Sequence, residues 1–172
     1  MNLAESTTAT LTPITTSDFT TIAQLADTIW RSHYVSMISM AQIDYMLRGR
    51  YTPEKLRCYL DCTDCWMDLL RISGTPAGYC SYAFTEVAGQ MKLQELYLLP
   101  EYQGKGLGGL MLRHVETAAC SLGCTQLHLT VNKGNASSIA VYRKAGFSVR
   151  EEAVFDIGNG FIMDDHVMAK DL

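Results

Sequence analysis

A chain of 172 residues with 48% hydrophobic and 19% charged residues has the length and composition of one soluble globular domain with a sizeable core. A net charge of −4 argues against the broad basic face that nucleic-acid binding requires and is compatible with a cationic small substrate. No stretch approaches about 18 apolar residues and no basic region precedes an apolar run at the N-terminus, so neither a membrane partner nor a secretory signal is expected, and a cytoplasmic location follows. In that setting the six cysteines read as reduced thiols. Cys62-x-x-Cys65 is a lone pair with no second Cys/His pair at finger spacing, and reads as buried small hydrophobes rather than a redox or metal site. No metal is expected.

In chain order, residues 1–9 are small and polar and read as a loose terminus. Thr10–Ile14 reads as a first strand. Ser17 reads as the cap of a helix whose apolar positions Phe19, Ile22, Leu25, Ala26 and Ile29 recur at helical spacing. A second helix is expected from about Ser39 to Leu47, ended by Gly49, and a third from the start signal Thr52-Pro53-Glu54 to about Leu60. The connector Trp30-Arg31-Ser32-His33-Tyr34 is rich in aromatic and polar groups. It reads either as a capping cluster over the core or as one wall of a substrate pocket. Three apolar runs follow at short spacing, Cys65–Ile72, Ala77–Thr85 and Met91–Leu99, which predicts an antiparallel meander.

The third run leads through Pro100 into Gln103-Gly104-Lys105-Gly106-Leu107-Gly108-Gly109 and then a helix with Leu107, Leu110, Met111, Val115, Ala118 and Leu122 on one face, closed by Gly123. Glycines leave backbone N–H groups uncovered, at a helix start that already points unpaired N–H groups outward with a partial positive charge. The expected product is an anion cradle, for phosphate above all. It is not a P-loop, because Lys105 is followed by Gly106 rather than Ser or Thr. It is not a dinucleotide fingerprint either, which needs two glycine gaps and a later acidic residue.

Downstream, Gln126–Asn132 alternates, with Leu127, Leu129 and Val131 facing one way and His128 and Thr130 the other. A lone strand histidine such as His128 is more often structural than catalytic. Strand, helix and strand here make a parallel pair. Asn135 caps a helix over Ala136–Ala145 that Gly146 ends. Phe147–Ile157 and Phe161–Ala169 read as a hairpin turning at Asn159-Gly160.

Gln103-x-x-Gly106-x-Gly108, then Asn135, then Ala140-Val141-Tyr142 and Gly146-Phe147, in this order and spacing, resemble the GNAT superfamily of acyl-CoA-dependent N-acetyltransferases. The amino-terminal half matches only in element order. The resemblance implies an α/β (mixed α+β) fold: a central, mostly antiparallel sheet of six to seven strands, one parallel pair splayed at the acyl-CoA site, and helices on both faces. It implies one N-acetyltransferase domain over residues 1–172 and an acetyl-CoA co-substrate held by Leu96, Tyr97, Leu98, Gln103, Gly104, Lys105, Gly106, Leu107, Gly108, Gly109, Asn135 and Tyr142. It allows a homodimer.

Trp30, His33 and Tyr34 fall where the family builds its acceptor pocket. A strand N–H near Leu98 would stabilise the oxyanion, and Tyr142 matches the family's general acid. Asn135 and Tyr142 are seven residues apart and share a helix face, though a tyrosine there also reads as a core aromatic. Glu95 is the candidate base, but simple alternation turns Gln94 and Glu95 to opposite faces. If Gln94 faces the acceptor, water or His33 must serve. The carboxyl-terminal run from Phe155 to Met168 resembles a bacterial branch that includes polyamine acetyltransferases. Glu151, Glu152, Asp156, Asp164 and Asp165 read either as an attractor for a polycation or as a solvated face. The function expected is acetylation of a primary amine on a small molecule. A non-catalytic acyl-CoA sensor and a protein N-acetyltransferase are the alternatives.

Overall fold

Seven strands form one sheet in the order β1-β2-β3-β4-β5-β7-β6. The computed structural model describes residues 8–172. The strands are β1 (Ala9–Pro13), β2 (Cys65–Ile72), β3 (Thr75–Phe84), β4 (Gln90–Leu98), β5 (Gln126–Asn132), β6 (Ser148–Gly158) and β7 (Phe161–Asp171). The helices are α1 (Phe19–His33), α2 (Met40–Arg48), α3 (Pro53–Asp61), α4 (Leu107–Ser121) and α5 (Ala136–Lys144). Of the terminus expected to be loose, residues 1–7 lie outside the described residues, and Ala9 opens β1.

All neighbouring strands pair antiparallel except β4 and β5, which run parallel. The sheet separates two cores. On one face, Met111, Leu112 and Val115 of α4 and Ile139 of α5 pack on Leu70, Leu127 and Leu129. On the other, Ile22, Ala26 and Trp30 of α1, Ile43 of α2 and Leu56 of α3 pack on Met67, Leu69 and Tyr79. Leu69 and Leu70 thus serve opposite cores, as strand alternation requires.

The helix starts follow their caps. Ser39 Oγ accepts the Gln42 N–H and Thr52 Oγ1 the Lys55 N–H, which satisfies donors that have no partner within the helix. The cap of α1 differs from expectation. A 3-10 turn over Thr16–Asp18 precedes the helix, and Asp18 rather than Ser17 stands at its start. Asp18 accepts from the Thr15 N–H at 2.8 Å and from Arg71 at 2.6 Å, tying this entry to β2. Helix α1 also runs further than expected. Trp30–His33 is its last turn rather than a connector, because Trp30 continues the buried stripe of Ile22 and Ala26 at i+4 spacing.

A second correction concerns the cysteines. Cys62 and Cys65 are joined by a disulfide. The loop from α3 into β2 brings their Cα atoms to 6.1 Å, within the reach of a disulfide. Cys58, Cys80, Cys120 and Cys124 are free thiols. No described helix is long and apolar enough to cross a membrane.

Candidate active site

The parallel ladder between β4 and β5 ends early. Its last pair is Leu93 with Leu129, while β4 continues to Leu98 beside β3 and β5 continues beside β7. The two strands diverge there. A cleft of about 410 Å³ fills the wedge, lined by Leu93–Leu98 on one side and Leu129–Val131 on the other. The Leu99 N–H donates to Ala77 O at 2.9 Å. In an antiparallel ladder the preceding residue then turns its N–H to the opposite edge. The N–H of Leu98 therefore points into the wedge, and by the same alternation so does that of Leu96.

The glycine loop closes one end of the cleft. Gly106 stands at the start of α4 with φ +78°, a left-handed conformation natural to glycine. Its carbonyl accepts the Leu110 N–H, so the preceding helical N–H groups point outward. Gln103, Gly104, Gly106, Gly108 and Gly109 line the cleft, while Lys105 and Leu107 do not. Lys105 lies instead over the Tyr102 ring, and Gln103 Nε2 donates to Leu98 O at 3.1 Å, tying the loop to the strand edge.

Asn135 and Tyr142 close the far side. Asn135 Oδ1 accepts the Ser138 N–H and caps α5. At the other end of α5, the Phe147 N–H reaches Tyr142 O and the Gly146 N–H reaches Arg143 O, a Schellman closure with Gly146 at φ +98°. The closure stacks Phe147 edge-on against Tyr142, ring centroids 5.9 Å apart. The Gly-Phe signature is therefore the device that fixes the Tyr142 ring. Burial raises the Tyr142 hydroxyl above the ordinary tyrosine range, so it stays protonated.

On the α1 side, His33 and Tyr34 line the cleft. Burial holds His33 below the usual imidazole value, with the neighbouring Asn135 side chain acting the other way. Trp30 does not line the cleft. It is 1% exposed, its ring tilted against Tyr34 at 4.8 Å and Tyr97 at 5.7 Å between centroids, and it backs the wall they form.

Glu95 is 5% exposed yet lines the cleft. Its carboxylate accepts from Tyr51 at 2.6 Å and Ser81 at 2.9 Å, and Arg50 approaches it at 3.5 Å. Tyr79 donates in turn to Tyr51 at 2.8 Å. Desolvation, then the Glu95 charge, keeps both phenols well above their normal pKa, so they act as neutral donors. The expectation that Gln94 and Glu95 must face apart does not hold. Ser81 pairs with Glu95 but Tyr82 with Leu93, which leaves Gln94 as the extra residue of a β-bulge. Gln94 accepts from Tyr59 of α3 at 3.3 Å while Glu95 is held by Tyr51. Both side chains reach the α3 side of the sheet.

Sequence reading missed Tyr51, Ser81 and Arg50 as the setting of Glu95. Nothing local signals a partner 44 residues away. His128, paired within β5 to Lys92 and Ala169, bonds Gln126 at 2.6 Å and does not line the cleft.

The sequence profile of the Acetyltransferase (GNAT) family matches residues 24–147. The chain is 29% identical over 150 residues to a spermidine N(1)-acetyltransferase of Thermoplasma acidophilum, spanning 86% of this chain and 90% of that protein. A thialysine N-epsilon-acetyltransferase of Sus scrofa is 28% identical over 87 residues, 46% of this chain and 51% of that one. Among solved structures, the PaiA N-acetyltransferase from Thermoplasma acidophilum, in complex with coenzyme A, shares the fold at a TM-score of 0.80 and 24% identity, covering 96% of this chain and 99% of that one. With most of the chain inside the matched profile, and the splayed strands, glycine loop and Tyr142 all falling within it, the chain belongs to the GNAT acetyltransferase family and is an acyl-CoA-dependent N-acetyltransferase.

Proposed function

We propose that the protein, acting as a single domain, transfers an acetyl group from acetyl-CoA to a primary amine of a small molecule, by direct attack within a ternary complex. The splay of β4 from β5 beside the α4 N-terminus carries this reading. It presents strand N–H donors and an anion cradle in one cleft. The residues fit the co-substrate: a Cβ added at Gly104 or Gly106 meets no protein atom within 4 Å, so a ligand can approach the loop closely.

The thioester supplies the activated acetyl group. The Gln103–Gly109 loop, Lys105 and Leu107 included, holds the pyrophosphate through its amides and the helix start. The Leu96–Leu98 edge aligns the acyl arm, and the Leu98 N–H stabilises negative charge on the carbonyl oxygen. Asn135 and Tyr142 flank the sulfur end, where the neutral Tyr142 hydroxyl donates a proton to the departing thiolate. An alkylammonium with a reference pKa near 10.4 must lose a proton before it attacks. Glu95, reached directly or through water, accepts that proton. His33 and Tyr34, backed by Trp30, shape the acceptor side. The relatives named for spermidine and thialysine support an alkylamine acceptor.

The test is thiol release from acetyl-CoA across polyamines, amino acids, aminoglycosides and peptides. Turnover with at least one small amine is expected. Release with peptides alone would replace the small-molecule reading with protein acetylation.

A further inference from the structure

A second cavity, of about 1000 Å³, opens on the α2–α3 side of the sheet and is bordered by the β6–β7 turn. Gln94 lines both this groove and the cleft, so the groove leads to the place where β4 and β5 part. Its lining includes Arg48, Arg50 and Lys55 and no Asp or Glu. The acidic residues of α3, Glu54 and Asp61, do not line it. Among the described residues neither Arg48 nor Lys55 has an ion-pair partner, and both are exposed. Arg50 lies over the Trp30 ring and reaches Glu95 at 3.5 Å.

No acidic residue of the carboxyl-terminal stretch, Glu151 included, lines this groove. Glu152 and Asp164 clasp Lys133 at 2.9 and 2.7 Å. Asp156 accepts the Gly158 N–H of its own turn. Asp165 is buried and lines neither cavity. The lining of the groove is therefore cationic, and at Gln94 it meets the cleft that the Glu95 carboxylate lines. A polycation would meet like charge on the way in. A molecule with an amine at one end and an anion at the other would be favoured at both.

Resting on the acetyltransferase reading above, we propose that the acceptor is a small zwitterionic amine, one that carries a carboxylate a short alkyl chain away from the nucleophilic nitrogen. Arg48 and Lys55 receive the carboxylate, and the amine is delivered past Gln94 toward Glu95. Arg50 also lines the groove and is held to Glu95 and Trp30. Tyr45 and Tyr59 flank the path.

The experiment uses matched pairs that differ only in the carboxylate: lysine against cadaverine, and ornithine against putrescine, with spermidine alongside. At saturating acetyl-CoA, kcat/KM is expected to favour the carboxylate member by about tenfold or more at low salt, and the preference should shrink as salt rises. In the Arg48→Gln, Lys55→Gln double variant that preference should fall to within about threefold, with cadaverine used at least as well as before. Acetyl-CoA affinity, measured on the same preparation, reports that the variant is folded. A preference for cadaverine, putrescine or spermidine over the carboxylate twins overturns the proposal, as does a variant that lowers both twins equally. Should neither twin turn over, calorimetry of each against the coenzyme A complex decides: failure of lysine and ornithine to bind also overturns it. The acetyltransferase reading itself falls only if no amine of the wider panel releases thiol.

Discussion

The Tyr142 hydroxyl makes no hydrogen bond among the described residues, while its ring packs against Phe147 and the core under α4. Ring and hydroxyl therefore separate cleanly. Tyr142→Phe keeps the packing, so the melting temperature should hold. If the hydroxyl protonates the leaving thiolate, kcat should fall by roughly 10²–10⁴, the usual worth of a general acid, with acetyl-CoA affinity changed by less than about threefold. Wild-type turnover in the Phe variant would remove Tyr142 from the mechanism. The sign of the pH effect follows from the raised pKa. An acid is lost as pH climbs through its pKa, and burial moves that loss above the ordinary value of about 10. The rate should therefore rise with pH as the amine deprotonates and show no decline from Tyr142 up to about pH 10. Glu95→Gln tests the base by the same logic. Its deficit in kcat should be greatest near neutrality and shrink toward pH 10, where the amine sheds its proton unaided. A deficit equal at all pH values would assign Glu95 a structural role.

Two elements carry the site, and they differ in how openly the sequence announces them. The loop into α4 is legible because its physics is local: glycines, a helix start and a proline stop within a dozen residues. It supports a paired prediction. Gly106→Val places a branched side chain at φ +78° and over the cradle. Acetyl-CoA affinity should drop at least tenfold, about 1.4 kcal/mol, and stability should fall too, since strained backbone costs on the order of 1–3 kcal/mol. Gly108→Ala separates the two effects. An added Cβ there meets only Leu98 Cδ1, at an ordinary 3.8 Å, and alanine favours a helix over glycine by about 1 kcal/mol. This variant should melt higher and still bind acetyl-CoA more weakly, by calorimetry. Unchanged affinity in both variants would sink the loop assignment. The β4 bulge is the opposite case. Gln-Glu in an alternating strand looks the same with or without an inserted residue, so the sequence could not tell that Glu95 would meet Tyr51 while Gln94 meets Tyr59. The last turn of α1 lies between these cases. Trp30 and His33 continue stripes begun by Ile22, Ala26 and Ile29, but their polar, aromatic company suggested a connector.

At the scale of the whole molecule, the sheet divides the work. The core under α4 and α5 backs the glycine loop and the Tyr142 wall of the cleft, and the core under α1, α2 and α3 backs the wall with Tyr34 and Tyr97. The order of elements was readable because each side repeats a clear period. The cross-connections were not, since Tyr51 with Glu95 and Cys62 with Cys65 depend on how separate elements dock. Helix α3 is the thinnest part of the second layer: Leu56 is its one buried residue. It nevertheless supplies Tyr59 and Lys55 to the groove. The Cys62–Cys65 bridge ties its end to the start of β2. Such a short loop contributes about 2 kcal/mol in the chain-entropy account of disulfides. In a chain of this size 1 kcal/mol moves the melting temperature by about 2–4 °C. Reductant should therefore lower it by roughly 4–8 °C, and a Cys62→Ser, Cys65→Ser variant should melt at the lower value with or without reductant. Asp64 lies within 4.8 Å of both sulfurs, but joined sulfurs offer no thiolate to a metal, so a chelator should change nothing in the oxidised protein. A melting temperature indifferent to reductant would mean that packing through Leu56 and Tyr59 alone holds α3. A drop with chelator would mean that the pair serves as metal ligands, since a structural metal contributes folding free energy directly.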